Sequence, residues 1–436
     1  MTSLPDVTRR IWFAAVVVGG FALAARGGGV LRELAVADRF GTAGALDAFL
    51  AAYLLPSLAV GIIAGAAGAA VIPEYLGVRA AAGPGGARRF LARLMSRWLL
   101  ALLVATAVLG VAAPVLLEWA GSGPRSLLAR RWFFWLLPTL AAGGLASLWT
   151  AILNAEERYA GAALATAVTP LLAAGAVIGW GKTHGIDALA AGTLVGVFLE
   201  AGVLGTLAAR RGLLAMPRWE GSSAEVRRVV AQFLPAAGGS VLMAGTAAVD
   251  LAMAGFLGPG SVATLNYGGR AAALVTGVGA LALGTAVFPH FARQAATRDW
   301  GGLRRTRREC LRGVLAVSVP ATAMLVALSE PMARILFERG AFTPEDTRRV
   351  AAVQTLYFLQ VPFFLAGIVQ VRVVAVLKMN RILFYTAAGG FLLKIALNLL
   401  FMRGMGLRGI ALATAVVFLG SAVFLSWITE RRIPGE

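Results

Sequence analysis

With 436 residues, 59% of them hydrophobic and only 14% charged, the chain has a mean hydropathy of +0.78 and more apolar surface than a soluble domain needs. Its apolar runs are about twenty residues long and do not alternate, which points to membrane-spanning helices and excludes a lipid-embedded β-barrel. The formal charge of +19 does not mark a nucleic-acid partner: with Arg9 and Arg10 in the cytoplasm, about 24 Lys/Arg fall inside, about 10 outside and about six in the membrane, as the positive-inside rule requires.

Twelve spans are expected. The first, near 11–37, follows Arg9-Arg10 and continues through Arg26 without a cleavable polar region, so it reads as a retained span and not a signal peptide. It contains Gly27-Gly28-Gly29 between Arg26 and Arg32. Such glycines allow close helix packing and also weaken a helix enough to bend it; both roles fit. Six residues apart, Arg26 and Arg32 are offset by roughly 120° on a straight helix and share a broad face only if it bends. A guanidinium in hydrocarbon is costly unless it lines a wet cavity, finds a partner or snorkels to the interface. For Arg32 the interface and an anion site are both open readings. The guanidinium forks suit diphosphate oxygens.

Asp47 opens the second span, 45–73, either as a salt-bridge partner for Arg26 or Arg32 or as a substrate contact. Spans near 95–119, 132–154, 159–180 and 186–209 complete a first lobe, 1–209. A basic linker, 210–227, contains Pro217 and Gly221-Ser222-Ser223. The second lobe, 228–436, has spans near 228–257, 263–289, 310–329, 350–377, 382–402 and 407–428. Asp250 in the seventh span needs a partner; Lys394 in the eleventh is one candidate, with Asn398 one turn further on the same face. Arg270 in the eighth span and Arg372 in the tenth are further cavity candidates. Cys310, His184 and His290 are solitary, so neither a disulfide framework nor a Cys/His metal site is expected.

The lobes repeat one another. Glu33 to Ala37, Gly41 and Ala70-Val71-Ile72-Pro73 return as Asp250 to Ala254, Gly258 and Ala286-Val287-Phe288-Pro289, and Gly61 and Gly68 return as Gly277 and Gly284. Later, Gly185-Ile186 with Ala190 and Thr193 returns as Gly406-Leu407 with Ala411 and Thr414. Six spans separate the copies, so the lobes are expected to share a topology and to relate by an axis along the membrane normal around a central cavity. The fold class is therefore an all-α polytopic membrane protein of two six-helix lobes. Charges inside such a bundle indicate a transporter. A membrane enzyme acting on lipid would want paired carboxylates or a metal cluster, and the extracellular acids Glu338, Glu345 and Asp346 read as solvated surface. A cation-coupled drug exporter would want acidic cavity residues in place of the arginines.

Arg26 to Arg32, followed by Asp47-Ala48-Phe49 and Leu55-Pro56, is similar to the opening of the MurJ (MviN-type) lipid II flippases. Gly258-Pro259-Gly260-Ser261 leading to Leu265-Asn266-Tyr267 and Arg270 resembles their eighth-helix entry. The most specific match is Leu336-Phe337-Glu338-Arg339-Gly340-Ala341-Phe342-Thr343, after the ninth span. The resemblance covers almost the whole chain. It implies the multidrug/oligosaccharidyl-lipid/polysaccharide exporter fold and an activity that is transport, not catalysis. The implied cargo is undecaprenyl-diphosphate-linked peptidoglycan precursor, moved from the inner to the outer leaflet by alternating access; another polyprenyl-linked polysaccharide precursor is the alternative. The implied setting is the bacterial cytoplasmic membrane, with both termini cytoplasmic and cell-wall synthesis proteins as candidate partners.

On this resemblance Arg26, Arg32 and Arg270 would hold the diphosphate and sugar, with Asp47 nearby. Some members have a sodium site between helices seven, eleven and twelve. The matching positions are Asp250, Lys394, Asn398 and Thr414, which puts an ammonium where a cation could bind. No cofactor is implied, and sodium and the membrane potential stand as candidate couplings. The chain departs from the family pattern at Ala59, Val60 and Ala64, where arginines and a glutamate are usual, and it stops at Glu436 before the usual thirteenth and fourteenth helices.

Overall fold

In hydrocarbon every backbone donor and acceptor must be satisfied within the chain, so apolar runs of this length have to be helical. The computed structural model describes residues 27–118, 124–214, 216–219, 221 and 223–433, and among these there is no strand. Arg26 and the first half of the first expected span lie outside the described residues.

The helices are α1 (27–40), α2 (Gly44–Glu118), α3 (Pro124–Leu136), α4 (Pro138–Ala155), α5 (Tyr159–Ala165), α6 (Val168–His184), α7 (Ile186–Ala209) and α8 (Ala224–Gly255). They continue with α9 (Ser261–Ala286), α10 (Phe288–Ala296), α11 (Trp300–Ala327), α12 (Ser329–Phe337), α13 (Pro344–Phe358), α14 (Gln360–Val376), α15 (Asn380–Met405) and α16 (Leu407–Arg432).

The second and third expected spans are joined without a loop. At 75 residues, α2 would extend about 110 Å if straight, against a hydrocarbon core of about 30 Å. The chain turns at Gly83, whose φ of 65° and ψ of −171° are open essentially to glycine alone. On either side of that residue the basic connection stays helical, because it is built largely of Ala and Arg, both good helix formers. Nine described segments are long and apolar enough to cross a membrane. The one at Gly44–Ala113 contains the Gly83 break and supplies two crossings. Helices α1 and α9 stand where the two remaining spans are expected.

The chain divides into two compact units, 1–244 and 245–436. The division falls within α8, whose first turns pack Val226 and Val229 into a core with Tyr75, Leu91, Trp98 and Ile152. In this first unit the buried Trp98 indole donates to the Gly144 carbonyl at 3.0 Å. Helices α6 and α7 meet through glycine: a Cβ at Gly196 would lie 2.8 Å from the Thr169 Cα, so no side chain fits. In the second unit α9 approaches α13 at Gly268, where a Cβ would meet Val353 at 2.8 Å. Val108, Val111 and Val317 point outward, more than half exposed, as faces turned to lipid tails require.

The duplication extends into the turns. Positive φ recurs at Gly41 (54°) and Gly258 (103°), at Gly83 (65°) and Arg298 (56°), and at Glu157 (59°) and Lys378 (56°). Gly185 (φ 56°, ψ −137°) and Gly406 (φ 58°, ψ −132°) share one conformation at the entries to α7 and α16. The turn at Glu157 is closed by Arg158 N–H donating to Leu153 O, and that at Lys378 by Met379 N–H donating to Val374 O. Two units of the same backbone plan are therefore dressed with different side chains.

Candidate functional site

The arginines singled out in the sequence are dispersed over both units. Arg32 is partly buried on α1 and pairs with its neighbour Glu33, Nη2 to Oε1 at 2.6 Å. Asp47, on the first turn of α2, is buried at 8% exposure. Arg270, on α9 of the second unit, is exposed, and its Nη2 donates to Asn266 Oδ1 at 3.1 Å, one turn back on the same helix. The role expected for Arg26 falls outside the described residues.

The second unit brings together four of the remaining candidates. On α15, Lys394 is 2% exposed, and its Nζ lies 3.0 Å from Asp250 Oδ1 on α8. The same ammonium donates to the Ile410 carbonyl at 3.0 Å and to Thr414 Oγ1, both on α16. An ammonium has three protons, and here each has an acceptor. Asn398, one turn after Lys394, donates from Nδ2 to Asp250 Oδ1 at 2.7 Å. Its Oδ1 is buried and accepts no hydrogen bond. Tyr357 on α13 is buried beside the same groups. Three spanning helices are thus tied by one buried charge pair, with α13 packed alongside and its Tyr357, which sequence spacing gave no reason to select, buried next to the pair.

Arg372 does not join this cluster. Its guanidinium lies 5.8 Å from the Phe288 ring, and its neighbour Val373 packs with Val369, Phe291, Leu303 and Ile433. Ile433 lies just beyond the far end of α16 from Ile410, about 35 Å away along the helix. Arg372 therefore belongs to the opposite end of the unit. Among the described residues no three His, Cys, Asp or Glu side chains converge as metal ligands.

The motif at Leu336–Thr343 proves architectural. Phe337 and Phe342 enclose Tyr267, with ring centroids 5.0 and 5.6 Å from it. Gly340 takes a φ of 57° so that the chain can reverse between them. Thr343 and Asp346 then form a capping box that starts α13. Glu338 accepts from Thr347 Oγ1 at 2.7 Å, and Glu345 pairs with Arg348 and Arg349, so these acids hold the turn and its surface.

An all-helical chain of two repeated units, with an ion pair buried among its spans, is a polytopic membrane transporter. The chain belongs to the family described as lipid II flippase MurJ, whose model matches residues 36–436. A relative from Rhizobium tropici, named "Probable lipid II flippase MurJ", is 29% identical over 96% of this chain and 80% of its own length. A solved structure of "Lipid II flippase MurJ, inward closed conformation" superposes with a TM-score of 0.83 at 20% identity, covering 95% of this chain and 87% of the other. An inward-facing multidrug resistance MATE family transporter of the MOP superfamily matches with a TM-score of 0.75 at 13% identity, covering 96% of this chain and 98% of the other. At these identities the two structures speak for the shared fold.

Proposed function

We propose that the protein is a lipid II flippase, a transporter and not an enzyme. It moves undecaprenyl-diphosphate-linked peptidoglycan precursor from the inner to the outer leaflet of the bacterial cytoplasmic membrane. The observation that carries this reading is the family match, which runs from α1 to the end of the chain. In this reading both termini face the cytoplasm, as the loop arginines favour.

The anionic head group is held by Arg26, Arg32 and Arg270, whose planar forks match diphosphate oxygens, while the prenyl tail stays in lipid. Glu33, already paired with Arg32, competes for that guanidinium, and Asp47 is another carboxylate of the first unit. Release outside requires the arginines to bind the head group less well in the outward state, and re-pairing with carboxylates supplies such a difference. At the other proposed site the Lys394 ammonium stands in for a coupling cation against Asp250 and Thr414, which leaves the membrane potential as the energy source.

Complementation tests the reading. In cells depleted of their own flippase, expression of this chain should restore growth and clear lipid II from the inner leaflet, and Arg26→Ala should abolish both while inserting normally. Accumulation of a different lipid-linked precursor would keep the transporter and discard lipid II. Full activity of the Arg26→Ala variant would remove the arginine site.

A further inference from the structure

Among the described residues, two charged cavities lie outside everything used so far, one of them along α11 of the second unit, where Arg305 and Arg308 are already paired with Glu309 and Glu430. The other is in the first unit, has a volume of about 280 Å³, and is lined by Tyr75, Arg79, Arg88, Glu156, Arg158 and Arg211 with a few small or apolar neighbours. These residues come from the Gly83 junction, the α4–α5 turn and the end of α7. The junctions follow the second, fourth and sixth spans, so all three lie on one side of the membrane. That side is the cytoplasmic one in the reading above.

Four guanidinium groups face one carboxylate there. Glu156 pairs with Arg79 and accepts from the Tyr75 hydroxyl, so it is already engaged. The guanidiniums of Arg88, Arg158 and Arg211 have no ion-pair partner among the described residues. Three unpaired guanidinium groups around one small cavity give it a positive potential that favours an anion.

The second unit is an internal control. Along the repeat, Tyr75 corresponds to Phe291, Glu156 to Leu377, Arg158 to Met379 and Gly212 to Ile433. Phe291, Leu377 and Ile433 pack with Leu303 into an apolar cluster. The second unit thus fills this place with hydrophobic side chains, and Arg304, the counterpart of Arg88, donates to the Ile433 carbonyl at 2.8 Å and lines the separate α11 cavity. In the first unit the same backbone keeps a cavity and surrounds it with arginine, and Gly212 leaves open what Ile433 fills.

We infer that this cavity is a binding site for a phosphate-bearing anion of head-group size, separate from the proposed translocation arginines. Guanidinium forks match phosphate oxygens bidentately, and the volume falls just below the range of drug-sized ligand pockets, roughly 300–1,000 Å³. That suits an anionic phospholipid head group or a free diphosphate.

The full-length protein in detergent would be titrated calorimetrically with inorganic diphosphate. In parallel it would be delipidated, reconstituted in phosphatidylcholine nanodiscs with or without phosphatidylglycerol, and its retained lipid read by native mass spectrometry. The double variant Arg158→Gln/Arg211→Gln changes two exposed side chains with no described partner, so folding should be undisturbed. It should weaken the bound species by at least about tenfold, as expected for loss of charge-assisted hydrogen bonds. Arg403→Gln/Arg408→Gln, exposed at the α15–α16 turn of the second unit and outside both cavities, should change nothing. Diphosphate binding without lipid selectivity assigns a soluble anion, and phosphatidylglycerol retention without diphosphate binding assigns a lipid head group. Binding of neither probe, or equal binding by both double variants, overturns the site.

Discussion

At the scale of single residues, the buried pair Asp250–Lys394 decides most. Each partner is nine-tenths or more buried, and the ammonium is fully saturated by Asp250, Ile410 O and Thr414. Removing one partner strands the other charge, which typically costs about 3–5 kcal/mol, whereas replacing both together can be close to neutral. Lys394→Met should therefore unfold at markedly lower temperature in detergent, and Asp250→Asn/Lys394→Met should recover much of the loss. A double variant no better than the single one would mean that Lys394 matters through Ile410 and Thr414 and not through Asp250. The same residue tests the coupling proposal. Lys394→Ala leaves Asp250, Thr414 and the unpartnered Asn398 Oδ1 around a space the size of a small cation, so transport should become sodium-dependent. Transport indifferent to sodium would end the idea of a tethered cation.

At the scale of elements, helix contacts in lipid gain little from the hydrophobic effect and depend on close approach. Gly196 on α7 sits against the Thr169 backbone, which cannot move aside as a side chain can. Gly202, on the same helix, has nothing within 4 Å of its would-be Cβ. Gly196→Ala should therefore cost about 1–3 kcal/mol through overpacking. Gly202→Ala should be neutral or stabilising by up to about 1 kcal/mol through helix propensity. Equal melting shifts for the two variants would show that α6 and α7 do not meet through Gly196. Composition could mark the glycines but not tell these two apart, because the difference lies in what the neighbouring helix presents. The spans were legible because length and hydropathy set them. The helical Gly83 junction was not, since a basic connection of Ala and Arg reads equally as loop or helix. Asp250 and Lys394 could be paired in advance because two opposite charges in lipid have few other resolutions; the burial of Tyr357 beside them could not be foreseen, since a tyrosine at a helix position is ordinarily packing.

At the scale of the whole molecule, duplication preserved the backbone while the side chains diverged, and the turns allow that to be measured. Gly185 and Gly406 hold a conformation that L-residues strongly disfavour, so Gly185→Ala and Gly406→Ala should each destabilise by more than about 1 kcal/mol. Glu157 and Lys378 hold positive φ without being glycine, and Glu157→Gly and Lys378→Gly should each stabilise by up to about 1 kcal/mol. Thermal unfolding of the four variants should yield two matched pairs of opposite sign. A pair whose members differ in sign would show that the repeat does not reach that turn. Sequence could flag the glycine pair but not the Glu157–Lys378 pair, because left-handed glutamate and lysine carry no compositional signal. The sites follow the reverse rule. Lys394 and Asn398 correspond to the buried Ala173 and Val177 of the first unit, and Glu156 and Arg158 correspond to Leu377 and Met379 of the second. Each unit thus carries apolar side chains at part of the other's polar centre. Exchanging them should separate fold from function: Lys394→Ala with Asn398→Val in the second unit, or Glu156→Leu with Arg158→Met in the first, should leave the helices intact by circular dichroism. The first exchange should alter transport, and the second should shift anion affinity, because it trades Arg158 for an Arg79 released from Glu156.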